Sequence, residues 1–172
     1  MNHHEQAART VPPSPVRSLK ETMAGFLSGI PMFQTLSFEE ILLVAGHVNF
    51  TRVAPGETLF REGDRGATVT FVVDGALDVV KQAGTDREVV LGTLTRGRSI
   101  GEMAILENEP RSATVRARTG STLVVLSRSA FDLIVEKHPR VGVKIMKGLA
   151  CLLSGNLRST SSQLTETLLS MS

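Results

Sequence analysis

From Val48 to Leu126 the chain is a series of short β-branched and apolar runs, each halted at a glycine turn. The runs read V-N-F-T-R-V, T-L-F, T-V-T-F-V-V, A-L-D-V-V-K and E-V-V-L-G-T-L, and the turns between them read P-G-E, E-G-D-R-G, D-G, A-G-T-D and R-G-R. Val, Thr and Phe fit an extended, pleated backbone, and glycine reaches the positive φ that tight turns require. Many short strands with glycine-rich turns predict a β-sandwich or closed roll. Asp74-Gly75 predicts a hairpin. Strands resume at Ala113–Arg118 and Ser121–Leu126, with a turn at Thr119-Gly120.

Helical spacing brackets this region. Leu19, Met23, Phe26, Leu27 and Ile30 predict a helix over Ser18–Ile30. Ser37 and Glu40 have the spacing of a capping box, opening a helix to about His47. Phe131, Leu133, Ile134 and Val135 predict a short helix that stops at His138, because a residue before proline avoids the α region. From Pro139 the apolar positions Ile145, Met146, Leu149, Leu152, Leu153 and Leu157 continue at helical spacing, and Leu164, Leu168 and Met171 extend it weakly. Gly148, Gly155 and the Ser159–Ser162 run lower helix propensity, so this long helix is expected to fray after about Ser159. Three segments result: a flexible tail over 1–17 containing V-P-P-S-P, a roll with flanking helices over 18–138, and the C-terminal helix over 139–172.

Charge and composition exclude several classes. Lys and Arg number 19 against 17 acidic residues, a net charge of +2, too small an excess for a nucleic-acid footprint even with a pI near 9.0. No helix-turn-helix follows the long helix, so no DNA partner is expected. No run of about 20 apolar residues and no signal-peptide pattern occurs, so neither a membrane span nor export is expected and the cytoplasm is the expected compartment. Cys151 is the sole cysteine, which rules out an intrachain disulfide, and it is expected as a small buried hydrophobe. The histidines are His3, His4, His47 and His138, none within the β runs. A metal-dependent enzyme on a β-roll is therefore not expected, nor is any other enzyme, metal or cofactor.

The segment G-E-M-A-I-L-E-N-E-P-R-S-A-T, Gly101 to Thr114, carries the chemistry. Gly101 permits close backbone approach. Arg111 supplies a full positive charge with directional donors, and Ser112 supplies a hydroxyl. An ionised Glu102 only accepts hydrogen bonds, so it suits hydroxyls rather than an anion. The implied ligand carries one phosphate charge and nearby sugar hydroxyls. Two plainer readings compete: Arg111 as a surface arginine, and Glu102 as a cap of the short helix or a partner of Arg111.

Gly101, Glu102, Met103, Ala104 and Ile105, followed by Arg111, Ser112 and Ala113, resemble the phosphate-binding cassette of the cyclic-nucleotide-binding family. That family includes catabolite-activator-type receptors, kinase regulatory subunits and gated channels. Pro55–Asp64 resembles its opening strand and turn, and Phe71–Leu77 its next hairpin. The resemblance spans roughly Phe33 to Pro139. It implies a mostly-β fold: an eight-stranded antiparallel jelly-roll (double-stranded β-helix) with N-terminal helices and a long C-terminal helix. It implies a cyclic nucleotide held by Arg111 and Ser112 at the phosphate, by Glu102 at the ribose 2′-OH, and by backbone at Gly101, Met103 and Ala104. Val89, Leu91 and Leu94 resemble the apolar wall beside purine and sugar, and simple core packing is the alternative for them. Asn156 and Leu157 fall where the long helix reaches the purine, Thr160 if the helix is shifted; a solvated helix surface is the alternative. Ser112, where threonine accompanies cGMP preference, favours cAMP over cGMP. Arg98 and Ser99 depart from the family's acidic and aromatic residues.

The implied function is a stand-alone cAMP sensor in which the cassette closes on phosphate and moves the helices after Ser127. Its effector is unknown. A homodimer through Ile145, Met146, Leu149, Leu153 and Leu157 is expected. The alternative is a degenerate fold serving as a ligand-free interaction module.

Overall fold

The structure, a computed structural model, describes residues 15–83, 87–107 and 109–170. The expectations for residues 1–14 of the tail (His3 and His4 included), for Gly84–Asp86 of the A-G-T-D turn and for Met171 lie outside them. Eight strands form two four-stranded antiparallel sheets, as the roll requires. One sheet runs in the order β1 (Asn49–Val53), β8 (Ser121–Ser127), β3 (Thr68–Asp74), β6 (Ser99–Ile100). The other runs β2 (Thr58–Phe60), β7 (Thr114–Ala117), β4 (Ala76–Ala83), β5 (Arg87–Thr95). The helices are α1 (Pro15–Ser28), α2 (Phe38–Ala45), α3 (Met103–Leu106), α4 (Arg128–Lys137) and α5 (Pro139–Ser170), with a 3₁₀ turn at Pro31–Phe33.

The near-continuous apolar run T-V-T-F-V-V has a direct cause. Side chains alternate across a strand, and β3 has a hydrophobic layer on each face. Val69, Phe71 and Val73 pack towards the helices with Phe33, Val44, Ile134 and Leu149. Val72 points between the sheets with Leu77, Val115 and Leu123. Phe33 and Phe71 meet with ring centroids 5.4 Å apart, within the range where aromatic pairs add to simple area burial.

The expected hairpin at Asp74-Gly75 is a corner between the sheets instead, and the expected turn at Thr119-Gly120 is a second corner. Asp74-Gly75 does not fold β4 back onto β3, because the two strands belong to different sheets. Gly75, with φ +91°, carries the chain across. A Cβ there would lie 2.2 Å from Ser121 Oγ and 2.6 Å from the Gly120 carbonyl oxygen. Thr119-Gly120 makes the matching crossing from β7 to β8, and the Ala76 N–H donates to Thr119 Oγ1 at 3.0 Å. The D-G signal reports the positive φ; it does not report which sheet receives the next strand.

The capping box forms as expected: the Glu40 N–H donates to Ser37 Oγ and the Ser37 N–H donates to Glu40 Oε2. Glu40 also meets Lys144 at 2.7 Å, tying α2 to α5. The first helix begins at Pro15 rather than Ser18, absorbing 15–17 from the expected tail. Proline suits a first helical turn, where its missing N–H has no intrahelical acceptor.

The C-terminal helix departs from expectation in three ways. It continues to Ser170 without a break at Ser159. The hydroxyls that lower propensity bond back along it: Thr160 to the Asn156 carbonyl, Thr165 to Ser161 and Thr167 to Gln163. Second, Ile145 and Leu149 are each 1% exposed and belong to the domain core. They are not free to join a dimer seam. Helical periodicity alone does not separate a stripe that packs on its own domain from one that packs on another copy. Third, Cys151 is exposed rather than buried. Gly148 has a packing reason: a Cβ there would sit 2.0 Å from the Met32 carbonyl oxygen, where α5 crosses the 3₁₀ turn.

Candidate functional site

Arg111 leaves the cassette loop and turns inward, only 7% exposed. Its backbone is fixed first: its N–H donates to the Asp64 carbonyl at 2.8 Å and its carbonyl accepts from the Gly63 N–H at 2.9 Å. The E-G-D-R-G turn and the cassette are thereby stitched together. The guanidinium donates from Nη1 to the Thr68 carbonyl at 3.0 Å and from Nη2 to Thr68 Oγ1 at 2.9 Å. Its carbon lies 4.0 Å from the centroid of the Phe60 ring, in cation–π range. Among the described residues no carboxylate forms an ion pair with it, and Nε is buried with no partner. Burial pushes the Arg111 pKa down, opposed by the charge of Asp64. It is thus neither a surface arginine nor a partner of Glu102.

Glu102 stands at the start of α3, 6% exposed, and its side chain does not cap that helix. Its Oε1 accepts from Asn156 Nδ2 at 3.0 Å, reaching across to α5. Its Oε2 is buried and unpartnered among the described residues. Burial raises the Glu102 pKa above the ordinary glutamate value; its own backbone N–H, the positive charge of Arg98 and the Asn156 bond oppose this. Arg98, the departure from the family pattern, therefore acts on the carboxylate electrostatically.

A carboxyl whose folded pKa is raised binds more protons folded than unfolded, so stability falls as pH climbs from the ordinary glutamate value through the raised one. Urea midpoints across that window are expected to show this loss in the ligand-free wild type, and Glu102→Gln is expected to remove it.

Two hollows adjoin at Glu102, and Arg111 lines the smaller. The first, about 130 Å³, is lined by Gly101–Ala104, Phe60 and the Pro110–Ala113 segment. The second, about 720 Å³, is a cleft between β5 and α5 that includes Leu91, Leu94, Arg98, Leu152, Asn156 and Thr160. Val79, Ile100 and Glu102 line both, so the two adjoin. Of the residues singled out from sequence, Gly101, Glu102, Met103, Ala104, Arg111, Ser112 and Ala113 line the first hollow. Leu91, Leu94 and Asn156 line the second, and Val89 lines neither. The Ser112 carbonyl accepts from Lys81 Nζ at 3.1 Å. Leu157 is 69% exposed and outside both hollows.

Sequence reasoning missed Phe60, Val79, Ile100, Gly66 and Thr68. Phe60 and Thr68 sit in ordinary β runs with no motif to mark them. Gly66 is readable only in three dimensions, since a Cβ there would lie 2.4 Å from Arg111 Nε. Among the described residues no group of three His, Cys, Asp or Glu side chains is placed to hold a metal ion. No helix among them is long and apolar enough to cross a membrane.

Comparison with known proteins agrees with this geometry. The chain is 36% identical over 130 residues to a cAMP-dependent protein kinase regulatory subunit of Mycosarcoma maydis, a match covering 67% of the chain and 24% of that protein. It is 30% identical over 146 residues to a patatin-like phospholipase domain-containing protein 6 of Pongo abelii, covering 85% of the chain and 10% of that protein. It thus spans about a quarter and a tenth of these relatives' lengths. Among solved structures it superposes on a cyclic nucleotide-binding domain from Methylobacillus flagellatus with a TM-score of 0.78 at 24% identity, covering 87% of this chain and 84% of that one. The model of the cyclic nucleotide-binding domain family matches residues 50–138, over half of the chain, and the chain therefore belongs to that family.

Proposed function

We propose that this domain is a cAMP sensor whose pocket takes the phosphate at Arg111 and Ser112, the ribose at Glu102 and the purine in the β5–α5 cleft. One observation carries the reading: two buried polar atoms of complementary character, Arg111 Nε and Glu102 Oε2, lack partners among the described residues, and both residues line the smaller hollow. Leaving such atoms unpaired costs roughly 1–3 kcal/mol each, more when charged. A ligand with one anionic phosphate and a free hydroxyl satisfies both. Asn156 holds one oxygen of Glu102 and leaves the other for the ribose, while also edging the purine cleft. Ser112 favours cAMP over cGMP. Calorimetric titration with both nucleotides tests this reading.

The signal route runs through Arg128 at the start of α4. Its Nε donates to the Ala104 carbonyl at 3.1 Å and its Nη2 donates to the carbonyls of Ala104 and Glu107, all at the cassette helix. A cassette drawn onto phosphate carries this contact with it and shifts α4 and α5. Switching requires that the ligand prefer the shifted arrangement.

The output includes a homodimer through α5, on a corrected seam. Val143, Met146, Leu157, Leu164 and Leu168 are 41–69% exposed and, at intervals close to whole helical turns, fall on one face of α5 apart from the core and cleft. Light scattering is expected to give a dimer for the wild type and a monomer for the Leu157→Lys, Leu164→Lys double variant. Monomer alone at high wild-type concentration contradicts the seam.

A further inference from the structure

The way Arg111 is held points to a residue outside the cassette. A guanidinium has five N–H donors. Thr68 takes one from Nη1 through its carbonyl and one from Nη2 through its hydroxyl. Phe60 covers one face at 4.0 Å. Glycine at Gly66 and Gly101 lets the group come close, since added Cβ atoms would fall 2.4 Å from Nε and 2.2 Å from Nη1. Thr68 lines neither hollow, whereas Arg111 lines the smaller one. Thr68 therefore sits behind the guanidinium and grips two of its nitrogens, and the three remaining N–H groups are left for other acceptors.

We propose that Thr68 is the positioning residue for the phosphate-binding guanidinium, fixing its plane before the nucleotide arrives. The inference rests on the reading of Arg111 as the phosphate ligand. A planar fork discriminates between oxygens only if its plane is held, and here no carboxylate among the described residues holds it. Carbonyl and hydroxyl together do so: the carbonyl fixes Nη1, and the hydroxyl stops rotation of Nη2 about that anchor. A threonine hydroxyl does this without neutralising the cation, so the full charge stays available for the anion.

The experiment uses the full chain and three probes: cAMP, and the two cAMP analogues in which sulfur replaces one or the other exocyclic phosphate oxygen. A fixed guanidinium plane treats the two analogues unequally. Thr68→Val is expected to weaken cAMP binding about tenfold, the effect of losing one hydrogen bond to a charged group, and to reduce the preference between the analogues. Thr68→Ser keeps the oxygen and is expected to retain both the affinity and the preference. If Thr68→Val fails to fold, Thr68→Ala against Thr68→Ser makes the same comparison. The proposal is overturned if the variant without the hydroxyl binds like the wild type with an unchanged preference, or if Thr68→Ser behaves like it. Absence of binding by the wild type would instead overturn the nucleotide reading itself.

Discussion

Arg111→Met is expected to remove roughly 2–5 kcal/mol of cAMP binding, the range for deleting one half of a buried charge pair, or from about 30-fold to several thousand-fold in affinity. The ligand-free protein is expected to be as stable as the wild type or more so. Arg111 is 7% exposed as a residue and has no ion-pair partner among the described residues. A buried charge without a counter-charge is a cost that a well-packed apolar side chain does not carry. Methionine keeps an unbranched apolar stem of similar length, though not the guanidinium that lies over Phe60. Titration calorimetry reads the first effect and urea unfolding the second. A variant that loses stability and affinity together would make Arg111 structural.

Gly101→Ala is expected to damage both. Gly101 has φ +83°, and its added Cβ would meet Arg111 Nη1 at 2.2 Å and the Thr68 carbonyl oxygen at 2.8 Å. The left-handed backbone costs a residue with a Cβ roughly 1–2 kcal/mol, and overpacking adds about 1–3 kcal/mol. A total loss of about 2–5 kcal/mol should appear in the urea midpoint. Since the methyl pushes between the guanidinium and Thr68, cAMP affinity falls as well. Unchanged affinity in a folded Gly101→Ala protein would show that the grip of Thr68 on Arg111 is unimportant to binding.

The cassette was legible because its demands are local. A positive-φ glycine, a carboxylate beside it and an arginine after a proline each declare a chemical type, and the hollow gathers all three. The strands were legible because β-branched runs and glycine turns report backbone shape. Connectivity was less so: D-G marks a turn, yet the strands flanking Gly75 separate into two sheets. The long helix showed the same limit. Ile145 and Met146 read alike in a periodic stripe, but one is 1% exposed and the other 41%. Thr68 could not be read at all, since its role arises from a partner 43 residues away.

A bound cyclic nucleotide supplies Arg111 Nε and Glu102 Oε2 with the partners they lack among the described residues. Calorimetric titration of the purified chain with cAMP and with cGMP tests it most directly. Saturable binding of one nucleotide per chain, tighter for cAMP, is the predicted result. No binding heat from either nucleotide at millimolar concentration, at two temperatures so that a zero enthalpy is not mistaken for absence, would contradict it.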